Sequence, residues 1–140
     1  MVVFRETFSL NSQGDCDILD ITGRVAEVVG KSGISDGIGM AFVSHSTAAI
    51  SCVEYEPGLV SDLKNLYEKL APKGAGYGHD ARWGDGNGFS HVRSALVGPS
   101  VTVPVSGGSL VLGTWQQIVV LCHDNRPRKR KIVVQLLGAD

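Results

Sequence analysis

Two stretches near the C-terminal end, Trp115–His123 and Arg128–Leu137, constrain the fold more than any other part of the chain. The first is apolar over most of its length. The second sets Arg128, Arg130, Ile132, Val134 and Leu136 against Lys129, Lys131, Val133, Gln135 and Leu137, a period of two that a β-strand distributes over two faces. Apolar residues occupy both faces of both stretches, so each needs cover from two sides. A domain with little helix surface cannot supply all of it. A second copy of the chain is the expected remainder, and it would also hide exposed sheet edges. A symmetric homo-oligomer is expected on these grounds.

The remaining chain reads as strands grouped between helices. Residues 2–10 place Val2, Phe4, Thr7 or Phe8, and Leu10 against polar positions, a half-buried strand whose change of phase suggests a bulge. A turn over Asn11–Asp15 leads to a short strand at Cys16–Asp20. Val25, Val28 and Val29 then form a helical stripe, started by Asp20 or Thr22 as cap and closed by Gly33. Strands follow at Ile38–Ser44 and Ala48–Glu54, separated by His45-Ser46-Thr47. Leu59, Leu63, Leu66 and Leu70 recur at helical spacing, with Pro57 in the first turn and Pro72 as the stop. A glycine-dense loop, KGAGYGHDARWGDGNG, precedes a helix running from Asn87 as N-cap to Gly98. Gly107-Gly108 marks a hairpin between Ser100–Val105 and Ser109–Gly113. The spacing predicts a single α+β domain over residues 1–140, with a mostly antiparallel or mixed sheet and about three helices.

Composition excludes several function classes. Thirteen basic and 14 acidic residues leave a formal charge of −1, which argues against nucleic acid as a partner. The short basic run at residues 126–131 has no interleaved aromatics, unlike a single-strand binding groove. No apolar run approaches the roughly 18 residues of a membrane helix, so no membrane partner is expected. The opening MVVFRETFSL alternates like a strand and lacks the apolar block of a signal peptide. Cys16, Cys52 and Cys122 form no CxxC pair, and such sparse cysteines point to free thiols in a reducing, cytoplasmic setting.

Chemistry concentrates at the histidines. His45 ends a strand, His79 lies in the glycine-dense loop, and His91 stands four residues after Asn87 on the same helix face. A helix N-terminus beside His91 favours bound anions and a neutral imidazole, and neutral imidazoles are also what a metal requires. No HxH or HExxH spacing is present, so a three-histidine metal site at His45, His79 and His91 would have to be assembled by the fold. Glu54, Asp62, Asp80 and Asp85 are the acidic candidates. Arg128 and Arg130 share a strand face from which two guanidiniums could clamp a phosphate. Phosphate-loop, nucleophile-elbow and dinucleotide fingerprints are absent.

The order of these residues is more specific than any one of them. His45-Ser46-Thr47-Ala48-Ala49-Ile50, Glu54, Asp62, Tyr77-Gly78-His79, Asn87, His91, Leu112-Gly113-Thr114-Trp115-Gln116 and Arg126-Pro127-Arg128-Lys129-Arg130 together resemble the YjbQ (UPF0047) family, also labelled secondary thiamine-phosphate synthase. The resemblance spans nearly the whole chain. Ser46 stands where the family usually has threonine, which keeps the hydroxyl. The resemblance implies an α+β homotrimer with a site built from His45, His79 and His91 as catalytic residues together with Glu54. Thr47, Asn87, Gln116 and either Arg126 or Arg128 would bind substrate. The implied reaction joins a pyrimidine diphosphate to a thiazole phosphate with loss of pyrophosphate, helped by Arg128 and by a divalent metal such as zinc or magnesium. A metal-dependent hydrolase or lyase, or a non-catalytic oligomeric ligand-binding protein, are the alternative expectations. The expected partner is a small phosphorylated molecule, and the hydrolase or lyase alternative would act on an unknown small substrate.

Overall fold

The computed structural model describes residues 1–139. Its elements are β1 (Val2–Ser12), β2 (Asp17–Asp20), α1 (Thr22–Ser32), β3 (Asp36–Val43), β4 (Ala48–Val53), α2 (Pro57–Leu70), α3 (Gly78–Trp83), α4 (Gly88–Val97), β5 (Ser100–Ser106), β6 (Ser109–Leu110), β7 (Gln117–Cys122) and β8 (Arg128–Ala139). They form one α+β domain with two antiparallel sheets, ordered β1-β8-β3-β5-β6 and β2-β7-β4.

The two sheets face each other across the main core. Val25, Val28 and Val29 of α1 join Ile132, Val134 and Leu136 of β8, and Ile118, Val120 and Cys122 of β7. The opposite face of the smaller sheet, with Ala49, Val119 and Leu121, is covered by Tyr67, Val60 and Leu63 of α2 and Val97 of α4. β7 is therefore buried on both faces by its own chain, which explains an apolar run without alternation. The expectation that both late strands need cover from a second copy is corrected for β7, while the outward face of β8 stays partly exposed. There Val3, Leu137 and Ile38 lie in register across three strands at 61%, 36% and 48% exposure.

Several local expectations are corrected. β1 pairs with β8 from Val2↔Gly138 to Ser12↔Arg128 in unbroken register, so there is no bulge. Glu6 simply takes the half-buried face, where Lys31 of α1 meets its carboxylate at 3.0 Å. The leucine stripe of α2 meets the core only in part, through Leu63. Leu66 and Leu70 face outward, and Tyr67 is the buried anchor. Among the described residues there are four helices: α3 lies inside the glycine-dense loop, closed by Gly84 in the left-handed conformation. β6 ends at Leu110, and Trp115 is 71% exposed instead of opening a strand. The Gly113 amide donates to Gln116 Oε1 at 2.8 Å, and this local turn delays β7 to Gln117.

Other signals are carried through. Glu56 accepts the Gly58 and Leu59 amides ahead of Pro57, a strong start for α2. Asp20 accepts the Thr22 amide at 2.9 Å, although Ile21 occupies the cap position of α1 itself. Gly107 and Gly108 both have positive φ, as a tight hairpin requires. Gly37 and Gly138 face each other where β3 and β8 approach so closely that a Cβ on either would lie within 2.3 Å of a backbone oxygen.

Candidate functional site

The site lies where β3, β4, β7 and β8 end together. Beyond the last β3–β8 pair, Val43↔Ile132, the ladder continues through a side chain: His45 Nε2 accepts the Lys131 amide at 3.0 Å. A neutral imidazole accepting at Nε2 carries its proton on Nδ1. In this orientation His45 presents an Nδ1–H donor, while Nε2 is occupied by the Lys131 amide. Burial, followed by the charges of Arg130, Arg128 and Lys131, pushes its pKa down.

Thr47, two residues on, makes four hydrogen bonds to three residues. Its hydroxyl donates to Asp124 at 3.1 Å and accepts from Arg130 at 3.0 Å, while its carbonyl accepts from Arg130 at 3.1 Å and from the His123 amide at 3.0 Å. Asp124 is buried and also accepts from Arg128 Nε and the Asn125 amide, each at 2.8 Å. Burial alone would raise its pKa, but these donors reverse the direction and hold it below the ordinary carboxylate value. Gly14 sustains this loop from behind. Its φ is +82°, and a Cβ there would meet the Arg126 carbonyl at 2.5 Å, next to the Asp15 amide that donates to the Asp124 carbonyl.

α3 and α4 bring in the other wall. The His79 and His91 rings pack at 4.4 Å between centroids. His79 Nδ1 lies 3.2 Å from Asp80 and 3.4 Å from Asp85, and Asp80 also accepts the Gly88 amide at 2.8 Å. Asn87 holds the N-cap position of α4 without capping it. Its side chain sits between carboxylates: the nitrogen is 3.4 Å from Asp124, and the reversed amide donates to Asp85 at 3.1 Å instead. Burial and then the neighbouring His79 lower the His91 pKa, against the opposing pull of Asp124, Asp85 and Asp80.

Between these walls is a cavity of about 450 Å³ lined by His45, Ser46, Thr47, Asn87, His91, Asp124, Arg128, Lys129 and Arg130. Three cationic side chains there face one carboxylate. Arg130 is 1% exposed, and among the described residues no carboxylate lies within ion-pair distance of it. Its Nε has no partner. Arg128 spends Nε on Asp124 and keeps its terminal nitrogens for something else.

Of the expected residues, the fold thus gathers His45, His91, Thr47, Asn87 and Arg128, with His79 packed behind His91. It does not gather Glu54, Gln116 or Arg126. The first two lie at the far end of the smaller sheet, where Val53 pairs with Gln117; Ala48↔Cys122 marks the site end. Five residue steps of strand separate those ends, about 17 Å. Glu54 and Asp62 are exposed, and Gln116 is engaged with Gly113. Arg126 is also exposed, with its backbone against Gly14. Asp124 went unnoticed in the sequence because it follows a buried apolar run; its one local signal is the four-residue spacing to Arg128. His123 beside it is buried, edge-on to Tyr67 at 4.9 Å, with neither ring nitrogen hydrogen-bonded.

Residues 6–139 match the family described as UPF0047 protein YjbQ-like. The chain belongs to that family. A UPF0047 protein from Methanothermobacter thermautotrophicus is 42% identical over 99% of this chain and 94% of its own length. The UPF0047 protein YugU of Bacillus subtilis is 30% identical over 95% of this chain and 98% of its own. Among solved structures, a YbjQ-like protein of unknown function from Sulfolobus solfataricus superposes with a TM-score of 0.88 at 32% identity, covering 98% of this chain and 99% of that one. A YjbQ/UPF0047 protein from Clostridium acetobutylicum gives 0.86 at 33% identity, covering 94% and 99%. The YjbQ fold is thereby shown for this chain. No described helix is long and apolar enough to cross a membrane. The three cysteines are free, and burial pushes the Cys16 thiol up to about 11, far from a reactive thiolate.

Proposed function

We propose that this UPF0047 protein is an enzyme of small phosphorylated compounds, holding the anion with Arg128, Arg130 and Thr47 and moving protons through His91. Arg130 carries the reading. A buried guanidinium without a countercharge costs several kcal/mol, and an anionic ligand in the adjoining cavity removes that cost. His45 adds an Nδ1–H donor. His91 is held neutral as a base, and the surrounding Asp80, Asp85 and Asp124 stabilise the imidazolium it becomes.

The reaction that the family resemblance implies fits this inventory. Joining a pyrimidine diphosphate to a thiazole phosphate forms a carbon–nitrogen bond and expels pyrophosphate, whose charge the two arginines would stabilise. A metal-dependent hydrolase is the second reading, favoured by His79, Asp80 and Asp85, whose ligand atoms lie within 4.8 Å of one another. Imidazole with carboxylates suits zinc or magnesium, and the metal would replace the proton that His79 Nδ1 shares with the carboxylates. Free thiols support a cytoplasmic setting.

One set of assays separates these readings. Pyrophosphate should bind the wild-type protein, and Arg128→Ala should weaken it about tenfold, the value of one charge-assisted bond. Thiamine phosphate formed from the two heterocyclic phosphates supports the transferase. Orthophosphate released from pyrophosphate only with zinc or magnesium, and abolished by His79→Ala, supports the hydrolase. Binding without turnover leaves a ligand-binding protein, and unaltered affinity in Arg128→Ala rejects the anion site.

The proposed assembly is a homotrimer that covers the outward face of β8. Glu54 and Gln116 can join the cavity only from another copy. Light scattering should give three times the 14.8 kDa chain mass, or a multiple of three, and a stable monomer would reject the trimer.

A further inference from the structure

Beside the cationic cavity lies a second space of different character, with three wall residues in common. This lobe, about 280 Å³, shares His45, Ser46 and His91 with the first, and its remaining walls are Ala48, Ser94, Ala95 and Pro99. Ala48 opens β4 and Pro99 follows α4; Ser94 and Ala95 come three and four residues after His91, on the same helix face. None of these four walls carries an ionisable side chain. An apolar cavity of about 150 Å³ already holds one benzene ring, so a substituted ring has room here.

Ser94 is the exception in this apolar wall. It is 5% exposed, and its Oγ has no hydrogen-bond partner. A buried hydroxyl left in that state forfeits the hydrogen bonds it had in water, and a mid-helix serine ordinarily bonds to the carbonyl four residues back. Ser94 itself belongs to the wall of a cavity that meets both site histidines.

We propose that this lobe receives the uncharged body of the substrate, and that Ser94 determines specificity by bonding one polar atom on it. The inference rests on the anion reading above: the phosphate lies among Arg128, Arg130 and Thr47, and the body extends past His45 and His91. The substrate class is a phosphate ester of a compact, mainly apolar group bearing one hydrogen-bonding atom. The link between phosphate and body falls at the wall shared by both lobes, against the two histidines.

Calorimetry with inorganic phosphate, phenyl phosphate and the three pyridyl phosphates tests this directly. The wild-type protein should bind phenyl phosphate at least about tenfold more tightly than phosphate, and one pyridyl isomer several-fold more tightly again. Ala95→Leu, at an exposed helix position, should erase the preference for the ring while leaving phosphate affinity unchanged. Ser94→Ala should erase only the pyridyl increment. Equal affinity for phosphate and phenyl phosphate, or an Ala95→Leu protein that keeps the ring preference, overturns the lobe. A Ser94→Ala protein that keeps the pyridyl increment overturns the role of Ser94. If wild-type protein fails to bind inorganic phosphate, the anion reading falls first, and the phosphate arm reports that separately.

Discussion

Replacing Arg130 with methionine is expected to weaken phosphate binding about a hundredfold without unfolding the protein. The two halves of that result have one cause. Arg130 is 1% exposed, lines the cavity and has an unpartnered Nε, so its charge contributes little to the empty fold and much to a bound anion. A charge-assisted hydrogen bond contributes about 1.5–3 kcal/mol, and the upper end of that range is about two orders of magnitude in affinity. Against this, apolar residues of similar volume often replace buried ionic groups at no loss of stability. Methionine does leave the Thr47 carbonyl without the Arg130 donor, but the His123 amide still bonds it. Wild-type protein should gain thermal stability as phosphate is added, by the mass action of a ligand that binds only the folded state. Arg130→Met should melt near the wild-type temperature in phosphate-free buffer and need about a hundredfold more phosphate for the same gain. Stabilisation of the variant at the same phosphate concentrations as wild type would refute the assignment of Arg130.

The second large effect concerns acid stability and resides in His123. Its ring is fully buried and unbonded at both nitrogens, and burial, reinforced by the charges of Arg93 and Arg130, lowers its pKa to about 3. In the unfolded chain the same group titrates near 6.5. Between those values the unfolded state binds a proton that the folded state refuses, so stability is complete above about pH 6.5 and falls as the pH drops toward 3. At pH 4.5 the loss is about 3 kcal/mol, from two pH units at 1.36 kcal/mol each. Phenylalanine keeps an aromatic ring against Tyr67 and has nothing to protonate. The loss of stability between pH 7.5 and 4.5, measured by urea unfolding, should therefore be about 3 kcal/mol smaller in His123→Phe than in wild type. Parallel losses in the two proteins would show that His123 does not control the acid limb.

The elements themselves were largely written in local patterns. Period-two alternation identified β1 and β8, the paired glycines identified the β5–β6 hairpin, and Val25, Val28 and Val29 identified the buried side of α1. Where local signals competed, the reading slipped. Leucine spacing gave α2 the right extent but only part of its buried face: Leu63 packs inward, while Tyr67 is the buried anchor and Leu66 and Leu70 stay exposed. Glycine density hid α3, whose Asp80 is fastened to the Gly88 amide from outside the helix.

The sequence by itself placed His45, Thr47, Asn87 and Arg128 at or beside the ends of regular elements and His91 on the helix that Asn87 begins; that they share a site was what the family resemblance implied. Only the tertiary structure decided which of them meet. Cys122 pairs with Ala48 in one sheet and Ile132 pairs with Val43 in the other, so four strand ends converge and Asp124 and Arg130 fall beside Thr47. The same antiparallel pairing carries Glu54 and Gln116 to the opposite end. Strand register is a relation between distant segments, set by turns and by the burial of a whole face, and no single segment contains it.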